Sequence, residues 1–435
     1  MLPSAIDLQN YRSFPGPQRL ELRPLTLIYG VNNTGKSSLL RLLPLLGASL
    51  ADGANGPLNL ESPAMFGASF EDLRWRGPVS EPVGDVDGID EARNGLRITL
   101  RWEGDPDIDV ADYVFSRFES QQLIRRLLVK SFAVHGPAGW LRARERIRPE
   151  EESRRSVTYD VQIPGRTESI AAALTFDGLL PSVAPDHALH GLLAPIRARL
   201  AALKGRFLWL QAQRRSPERF TTTPSNPRWH LKYDGSDAAA LLATNPEILR
   251  SVSEWYERMV QRRLLITEVP PAAFRLQLQH IREASVTVDL LDSGEGMNQV
   301  LPVLCALELA RSRESDEGSC ILALEEPESH LHPRLQQGLV EKIVQTVSNS
   351  GSRVLLETHS EHFLLGVQLQ IARRILRPEQ VAIYWLRQRE DGSTVAELST
   401  FDERAFPQGA WPANVFNEDT DAARAVIQAR REHAR

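Results

Sequence analysis

Short apolar runs that stop abruptly at polar clusters recur along this chain, and that pattern predicts strands of a parallel sheet buried on both faces. Leu25 to Tyr29 ends at a glycine-rich stretch, Cys320 to Leu324 ends at Glu325, Glu326 and Glu328, and Arg353 to Leu356 ends at Glu357, Thr358, His359 and Ser360. Helical spacing follows in Ser38 to Leu46 and again in Val300, Leu301, Val303, Leu304 and Leu307. Two-residue alternation at Leu96 to Trp102 and Val157 to Ile163 predicts strands, whereas the apolar periodicity of Phe118 to Phe132 and His187 to Leu203 predicts helices.

These elements divide the chain into an N-terminal lobe (residues 1–110), an inserted mixed α/β module (111–205), a C-terminal lobe (206–400) entered through Phe207 to Leu210 and left through Val381 to Leu386, and an accessory cap (401–435) with a helix-like Thr420 to Arg435. The expected class is α/β, with a mostly parallel core sheet, an antiparallel β lobe and a mixed helical insertion. Neither an internal repeat nor a low-complexity tract is present in the sequence.

Chemistry enters at the ends of the apolar runs. Gly30-Val31-Asn32-Asn33-Thr34-Gly35-Lys36-Ser37 has the pattern GxxxxGKS between a strand and a helix. Glycines let successive backbone N–H groups turn toward phosphate oxygens, Lys36 reaches the β/γ-phosphates, and Ser37 can ligate Mg²⁺ at a helix start whose dipole favours anions. Gly30, Asn32, Asn33, Thr34, Gly35, Lys36, Ser37 and Ser38 are therefore the expected ATP contacts. At the acidic strand end Glu325 reads as the Mg²⁺-side acid and Glu326 as the carboxylate that polarises the attacking water, with Glu328 next in line. The alternative is a surface acidic cluster capping the helix near Leu331. His359, at the tip of the following strand, is the candidate γ-phosphate contact.

Ser293, Gly294, Glu295 and Gly296 form a second anion-directed helix entrance. One nucleotide has no use for two such entrances on one side, so the second is expected to grip the ATP held by another copy. The order of these segments is that of ABC-type ATPases, in which two heads enclose two nucleotides. The long separation of Lys36 from Glu325 disfavours a GTPase or an AAA+ ring protein, and no NKxD motif occurs.

Leu8-Gln9-Asn10-Tyr11-Arg12-Ser13-Phe14, GVNNTGKSSLL, Asp292 to Pro302, EEPESHLHP (Glu325 to Pro333) and ETHSEH (Glu357 to His362) together resemble the SMC/RecF/OLD class of ABC ATPases, and more narrowly the stand-alone AAA ATPases of prokaryotic anti-phage defence loci. A weaker likeness covers Phe66 to Gly77, Gln213 to Phe220 and Trp411 to Asn417. The resemblance implies an ABC-type ATPase head and adds Arg12 and Ser13 as nucleotide contacts. This chain has Glu325 where most ABC proteins have Asp, and it lacks the full Leu-Ser-Gly-Gly signature. Ser69, Asp72 and Gln211 are the candidates for the Mg²⁺-sensing glutamine position.

Beyond His362 no Asp-x-Asp follows an apolar strand, so a Toprim nuclease is not expected within this sequence. The resemblance then implies an ATP-dependent homodimer or higher oligomer that switches a separate effector such as a nuclease or toxin. A RecF-like DNA-binding ATPase is the alternative, and a transporter nucleotide-binding subunit a third reading. Arg125, Arg126, Arg142, Arg144, Arg154 and Arg155 could track DNA phosphates, although the net charge of −5 gives no overall attraction to a polyanion. With Cys305 and Cys320 as its only cysteines the chain implies no disulfide framework, and the His330-x-His332 pair lacks the companions of a zinc site. With no leader or membrane-spanning run in the sequence, a cytoplasmic protein with no membrane partner is expected.

Overall fold

A computed structural model of the protein describes residues 1–77, 95–119, 125–137, 139–146, 157–227, 229–316 and 318–412. In chain order the N-terminal half contains β1 (Ala5–Gln9), β2 (Gln18–Glu21), β3 (Leu25–Gly30), α1 (Lys36–Leu50), α2 (Phe70–Leu73), β4 (Leu96–Arg101), β5 (Val110–Glu119), β6 (Arg125–Gly136), β7 (Gly139–Glu145), β8 (Val157–Gln162), β9 (Ile170–Asp177), β10 (Leu180–Ser182) and α3 (His190–Ala201). The C-terminal half contains β11 (Phe207–Leu210), β12 (Thr221–Thr222), α4 (Ala238–Thr244), α5 (Pro246–Val260), β13 (Arg262–Val269), β14 (Ala273–His280), β15 (Thr287–Asp289), α6 (Glu295–Asp316), β16 (Ile321–Glu325), α7 (Pro333–Asn349), β17 (Arg353–Glu357), α8 (Glu361–Ala372), β18 (Val381–Gln388), β19 (Thr394–Phe401) and β20 (Pro407–Gly409).

The apolar runs with polar ends are strands of one seven-stranded sheet, ordered β11-β16-β17-β3-β18-β19-β20. The pairings from β11 to β18 are parallel, and β19 and β20 close the edge antiparallel. Register places Glu325 opposite Glu357, and Glu357 opposite Ile28 of the strand that leads into the glycine-rich loop. Parallel strands need crossovers, and the helices that supply them bury both sheet faces.

Side chains alternate between these faces with the period of two that a pleated strand imposes. Leu25, Leu27, Leu322, Leu324, Val354 and Leu356 join the core that contains residues of α5 to α8. Ile28, Ile321, Ala323 and Leu355 point the other way, into the core built around the leucines of α1. Glu325 and Glu357 continue this second set, so both carboxyl groups emerge on the α1 side. α1 itself is apolar nearly all round: Leu39, Leu40, Leu42, Leu43, Leu45 and Leu46 are buried, the condition of a helix enclosed by protein on every side.

The second sheet is nine-stranded and antiparallel, in the order β10-β9-β8-β7-β6-β5-β4-β1-β2. It runs across residue 110 without a break, so the stretch expected as an insertion continues the sheet that β1, β2 and β4 begin. Phe118 to Phe132, expected as a helix, instead belongs to the end of β5 and the start of β6 in its described part. A bulge explains the misreading. Val114 pairs with Ser131 and Phe115 with Val129, which leaves Lys130 unopposed; the extra residue shifts the apolar phase and makes a strand mimic helical spacing. Arg142 and Arg144, candidates to track DNA phosphates, lie on strand β7. Residues 413–435, including the helix-like tail and most of Trp411 to Asn417, lie outside the described residues, as do Arg154 and Arg155.

α1 carries the residues that meet the sheet edge, so its packing fixes their position. Leu43→Ala should cost about 2–5 kcal/mol, the range for deleting a buried leucine side chain with incomplete collapse of the cavity. Denaturant unfolding monitored by far-UV circular dichroism measures this; a change below about 0.5 kcal/mol would mean that α1 is not enclosed as described.

Candidate nucleotide site

The loop from Gly30 to Gly35 turns tightly enough to require its glycines. At Gly30 (φ 155°) a Cβ would sit 2.7 Å from Thr34 Oγ1 and 2.8 Å from the Leu386 carbonyl oxygen. At Gly35 (φ 89°) it would sit 2.5 Å from Ser13 Oγ. Asn33 adopts φ 66°, while Val31, Asn32 and Asn33 form the exposed tip. Thr34 Oγ1 and Lys36 Nζ both donate to the Val31 carbonyl, at 2.8 and 3.0 Å. Lys36 is buried, and this desolvation holds its ammonium below the usual lysine range against the opposing pull of Glu357 and Glu326.

The first segment of the chain wraps onto this loop. Arg12 (φ 47°) lies in a turn closed by the Tyr11 and Phe14 backbones, and its N–H donates to the Leu73 carbonyl at 2.7 Å. Tyr11 donates its hydroxyl to the Ser38 carbonyl at 3.0 Å. Ser13 Oγ and Arg12 Nε are buried and have no hydrogen-bond partner among the described residues. An orphaned hydroxyl against the glycine-rich loop fits a site shaped for a polar ligand, since a buried polar group left unpaired is costly.

Ser37 and Arg41 lie four residues apart, on one stripe of α1. Ser37 Oγ donates to Glu357 Oε1 at 2.9 Å. Arg41 holds Glu325 with a two-pronged pair, Nε to Oε1 at 2.6 Å and Nη2 to Oε2 at 2.7 Å. Trp209 Nε1 adds a bond to Glu325 Oε1 at 3.0 Å, and the Ala212 N–H approaches Oε2 at 3.4 Å. The Arg41 guanidinium also lies 4.6 Å from the centre of the Phe66 ring. Thus the acid expected beside Ser37, Glu325, is bonded to Arg41, and the acid that Ser37 meets is Glu357.

Glu357 is 4% exposed. Burial, with Glu325 and Glu326 nearby, pushes its carboxyl up to about 7 despite the Ser37 hydrogen bond and the Lys36 charge. Its Oε2 has no hydrogen-bond partner among the described residues. Glu326, Glu357 and His359 each offer an atom within 4.8 Å of the others, a grouping whose oxygen and imidazole donors could hold a divalent cation. His359 is exposed, and the desolvation of its imidazole, with Lys36 nearby, holds it below the usual histidine range.

Glu326 sits on a turn at φ 41° with its N–H donated to the Glu357 carbonyl at 2.9 Å. Ser329 Oγ donates to its Oε2 at 3.0 Å, leaving a half-buried carboxylate at the mouth of the site. Glu328 is committed elsewhere: its Oε1 accepts from Thr358 Oγ1 and, at 2.9 Å, from the His359 N–H. That fastens the tip of β17 to the acidic turn. Burial raises the Glu328 carboxyl above its ordinary range.

The expected cross-subunit segment begins α6, with Gly294 at φ 102° and open space where its Cβ would lie. Ser293 Oγ donates to the Leu290 carbonyl at 2.6 Å. At Gly296 a Cβ would sit 2.5 Å from the His330 carbonyl oxygen, so the helix entrance packs against the loop that follows the acids. A hydrogen-bond chain joins the two. Gln299 Nε2 donates to Glu295 Oε1 (2.7 Å) and to the Arg214 carbonyl (3.0 Å); Arg214 in turn donates to the carbonyls of Glu325 (3.1 Å) and Glu326 (3.0 Å). Burial lowers the Arg214 guanidinium to about 10.

The proposed metal-sensing positions are bonded outside the loop. Ser69 and Asp72 cap α2 reciprocally, and Gln211 Nε2 donates to the Gln213 carbonyl at 2.7 Å. Glu357, Arg41 and Trp209 were not foreseen as site residues. Glu357 ends its strand as Glu325 does, and Arg41 follows Ser37 by one helical turn, which are signals the sequence contains. Arg214 lay within a segment noted only for likeness, and Trp209 carries no local signal.

Residues 242–364 match the AAA ATPase domain family. That stretch includes α6, the acidic strand end and His359, and excludes the glycine-rich loop. None of the curated proteins compared with the chain matches it. Among solved structures the chain is similar to an Smc head bound to the C-terminal winged-helix domain of ScpA (12% identity, 93% of this chain and 99% of that one, TM-score 0.48). It is also similar to the SMC head domain from Thermotoga maritima (10%, 92% and 100%, 0.42) and to a Pyrococcus furiosus Smc head with an extended coiled coil bound to the C-terminal domain of ScpA (9%, 99% and 99%, 0.44). Among the described residues no helix is long and apolar enough to cross a membrane.

Lys36→Ala should weaken ATP binding by about 1.5–3 kcal/mol, the worth of a hydrogen bond to a charged group. Titration with a fluorescent ATP analogue measures it. Unchanged affinity would remove Lys36 from the phosphate site.

Proposed function

We propose that this P-loop ATPase of the ABC/SMC type is a Mg²⁺-dependent switch whose two copies close around ATP and whose closure is read by a separate effector. The observation that carries this reading is the hydrogen-bonded connection from the α6 entrance through Gln299 and Arg214 to the backbone of Glu325 and Glu326. A helix start that met a second copy's nucleotide would thereby be mechanically joined to the acidic turn of its own site. The open surroundings of Gly294 leave room for a phosphate to approach the first N–H groups of α6.

In this reading the loop N–H groups and Lys36 hold the β- and γ-phosphates, and Arg12 and Ser13 close the site from the side. Glu326 accepts the proton of the attacking water, with Ser329 orienting its carboxylate. His359 meets the γ-phosphate from the tip of β17. Mg²⁺, when bound, neutralises charge that develops on the phosphate oxygens. The effector is a partner such as a nuclease or toxin, and anti-phage defence is the setting that the sequence resemblance implies.

Glu326→Gln should bind ATP yet hydrolyse it slower by roughly 10²–10⁴-fold, the usual contribution of a positioned general base. Light scattering of this variant should show the mass doubling when Mg²⁺-ATP is added; a mass that ignores ATP in a sample that binds it would overturn the closing-dimer reading. Mixing tests whether the site is shared. Lys36→Ala protein and protein altered at Ser293 and Gly294 should each be inactive, and together regain activity, because a mixed dimer retains one site whose loop and α6 entrance are both intact. Failure to regain activity at every ratio counts against a shared site.

A further inference from the structure

Two carboxylates stand side by side at the sheet edge, and their surroundings differ in a way that decides between them. Both oxygens of Glu325 are spoken for, by the two-pronged Arg41 pair, Trp209 Nε1 and the Ala212 N–H. Its side chain is 2% exposed, so a rearrangement that released it would leave the Arg41 charge unpaired against buried surroundings. Glu357 has one oxygen on Ser37 and the other, buried, with no hydrogen-bond partner among the described residues.

Position reinforces the contrast. β17 lies between β16 and β3, so Glu357 is one strand spacing from the strand that feeds the phosphate loop and Glu325 is two, roughly 5 against 10 Å. Glu326 and His359 each offer an atom within 4.8 Å of Glu357, and the Lys36 ammonium interacts with Glu357 and Glu326. A hard divalent cation takes oxygen ligands, and a serine hydroxyl can ligate through a lone pair while its proton remains donated to a carboxylate.

We propose that Glu357, together with Ser37, holds the divalent cation of the bound nucleotide, and that Glu325 is the buried counter-ion of Arg41. The acid of the first carboxylate strand thus orders α1 against the sheet, and the acid of the neighbouring strand does the ligation. This rests on the reading of the site as one for a cation-nucleotide complex.

Mn²⁺ is the probe, titrated by electron paramagnetic resonance into the full chain with ATP bound. Glu357→Gln should weaken Mn²⁺ by roughly tenfold or more, since even residues that only support metal ligands cost 10–100-fold. Glu325→Gln should leave Mn²⁺ affinity in place and lower the thermal midpoint instead. As a gain-of-signal test, Glu357→Cys with Cd²⁺ should show cadmium–thiolate absorption absent from wild type and from Glu325→Cys, because a soft thiolate favours the soft ion. This second variant decides the matter even where the glutamine variant folds poorly. Mn²⁺ affinity lost in Glu325→Gln and kept in Glu357→Gln, or thiolate absorption from Glu325→Cys alone, overturns the assignment. ATP binding without any divalent ion is read on the same samples, so failure of the nucleotide site itself would show there in wild type and stand apart from the cation result.

Discussion

The register of three parallel strands, β16, β17 and β3, is the constraint on which the rest depends. Because pleated strands alternate faces, holding Leu322 beside Val354 and Val354 beside Leu25 also holds Glu325 and Glu357 together on the α1 side. A slip of one residue in either pairing would turn a carboxylate into the core packed by α6 and α7. The leucines of α1 secure the same arrangement from the other side. They keep Ser37 and Arg41 one helical turn apart above two acids that stand one strand apart, so each α1 side chain finds its own carboxylate.

Around this core, the site is assembled from segments that are separately rigid. α6 is fixed along its length: Glu308, fully buried, bonds Ser251 of α5 at 2.8 Å and pairs with Lys342 of α7 and Arg311 of its own helix. Near its start, Asn298 donates to the Leu291 carbonyl at 3.2 Å and Gln299 reaches the Arg214 backbone. A helix held at its start and again past its middle moves as a body over that stretch. Displacing its entrance therefore bears on the packing against His330 and, through Gln299, on Arg214 and the carbonyls that Arg214 holds.

How much of this was legible in the sequence follows from which physical rules act locally. The glycine-rich turn between β3 and α1, the acidic strand end, the α6 entrance and the strand tip at His359 were readable as structure because each is a run of neighbours whose period and chemistry agree. The two-core alternation was implicit in the same runs. Glu357 was passed over although it ends its strand as Glu325 does, since the choice between two strand-end acids depends on strand order, which residue spacing does not contain. Arg41 could have been placed by its offset from Ser37, but its partner could not. Trp209 and Arg214 come from another strand and the loop after it, and only their tertiary position makes them part of the site. The Phe118 to Phe132 misreading had a local cause, a single unopposed lysine that broke the alternation.

Synthesis adds a different demand. β3 takes its place only between β17 and β18, so the face of α1 that meets the parallel sheet stays uncovered until the far end of the chain has been made, whereas the antiparallel sheet that shares its leucine core is complete much earlier. At roughly 5–20 residues per second a ribosome needs on the order of 15–65 s between Gly30 and Glu357. Throughout that interval the sheet-facing leucines of α1 wait for the strands that will cover them, and the antiparallel sheet that shares their core is made before those strands are.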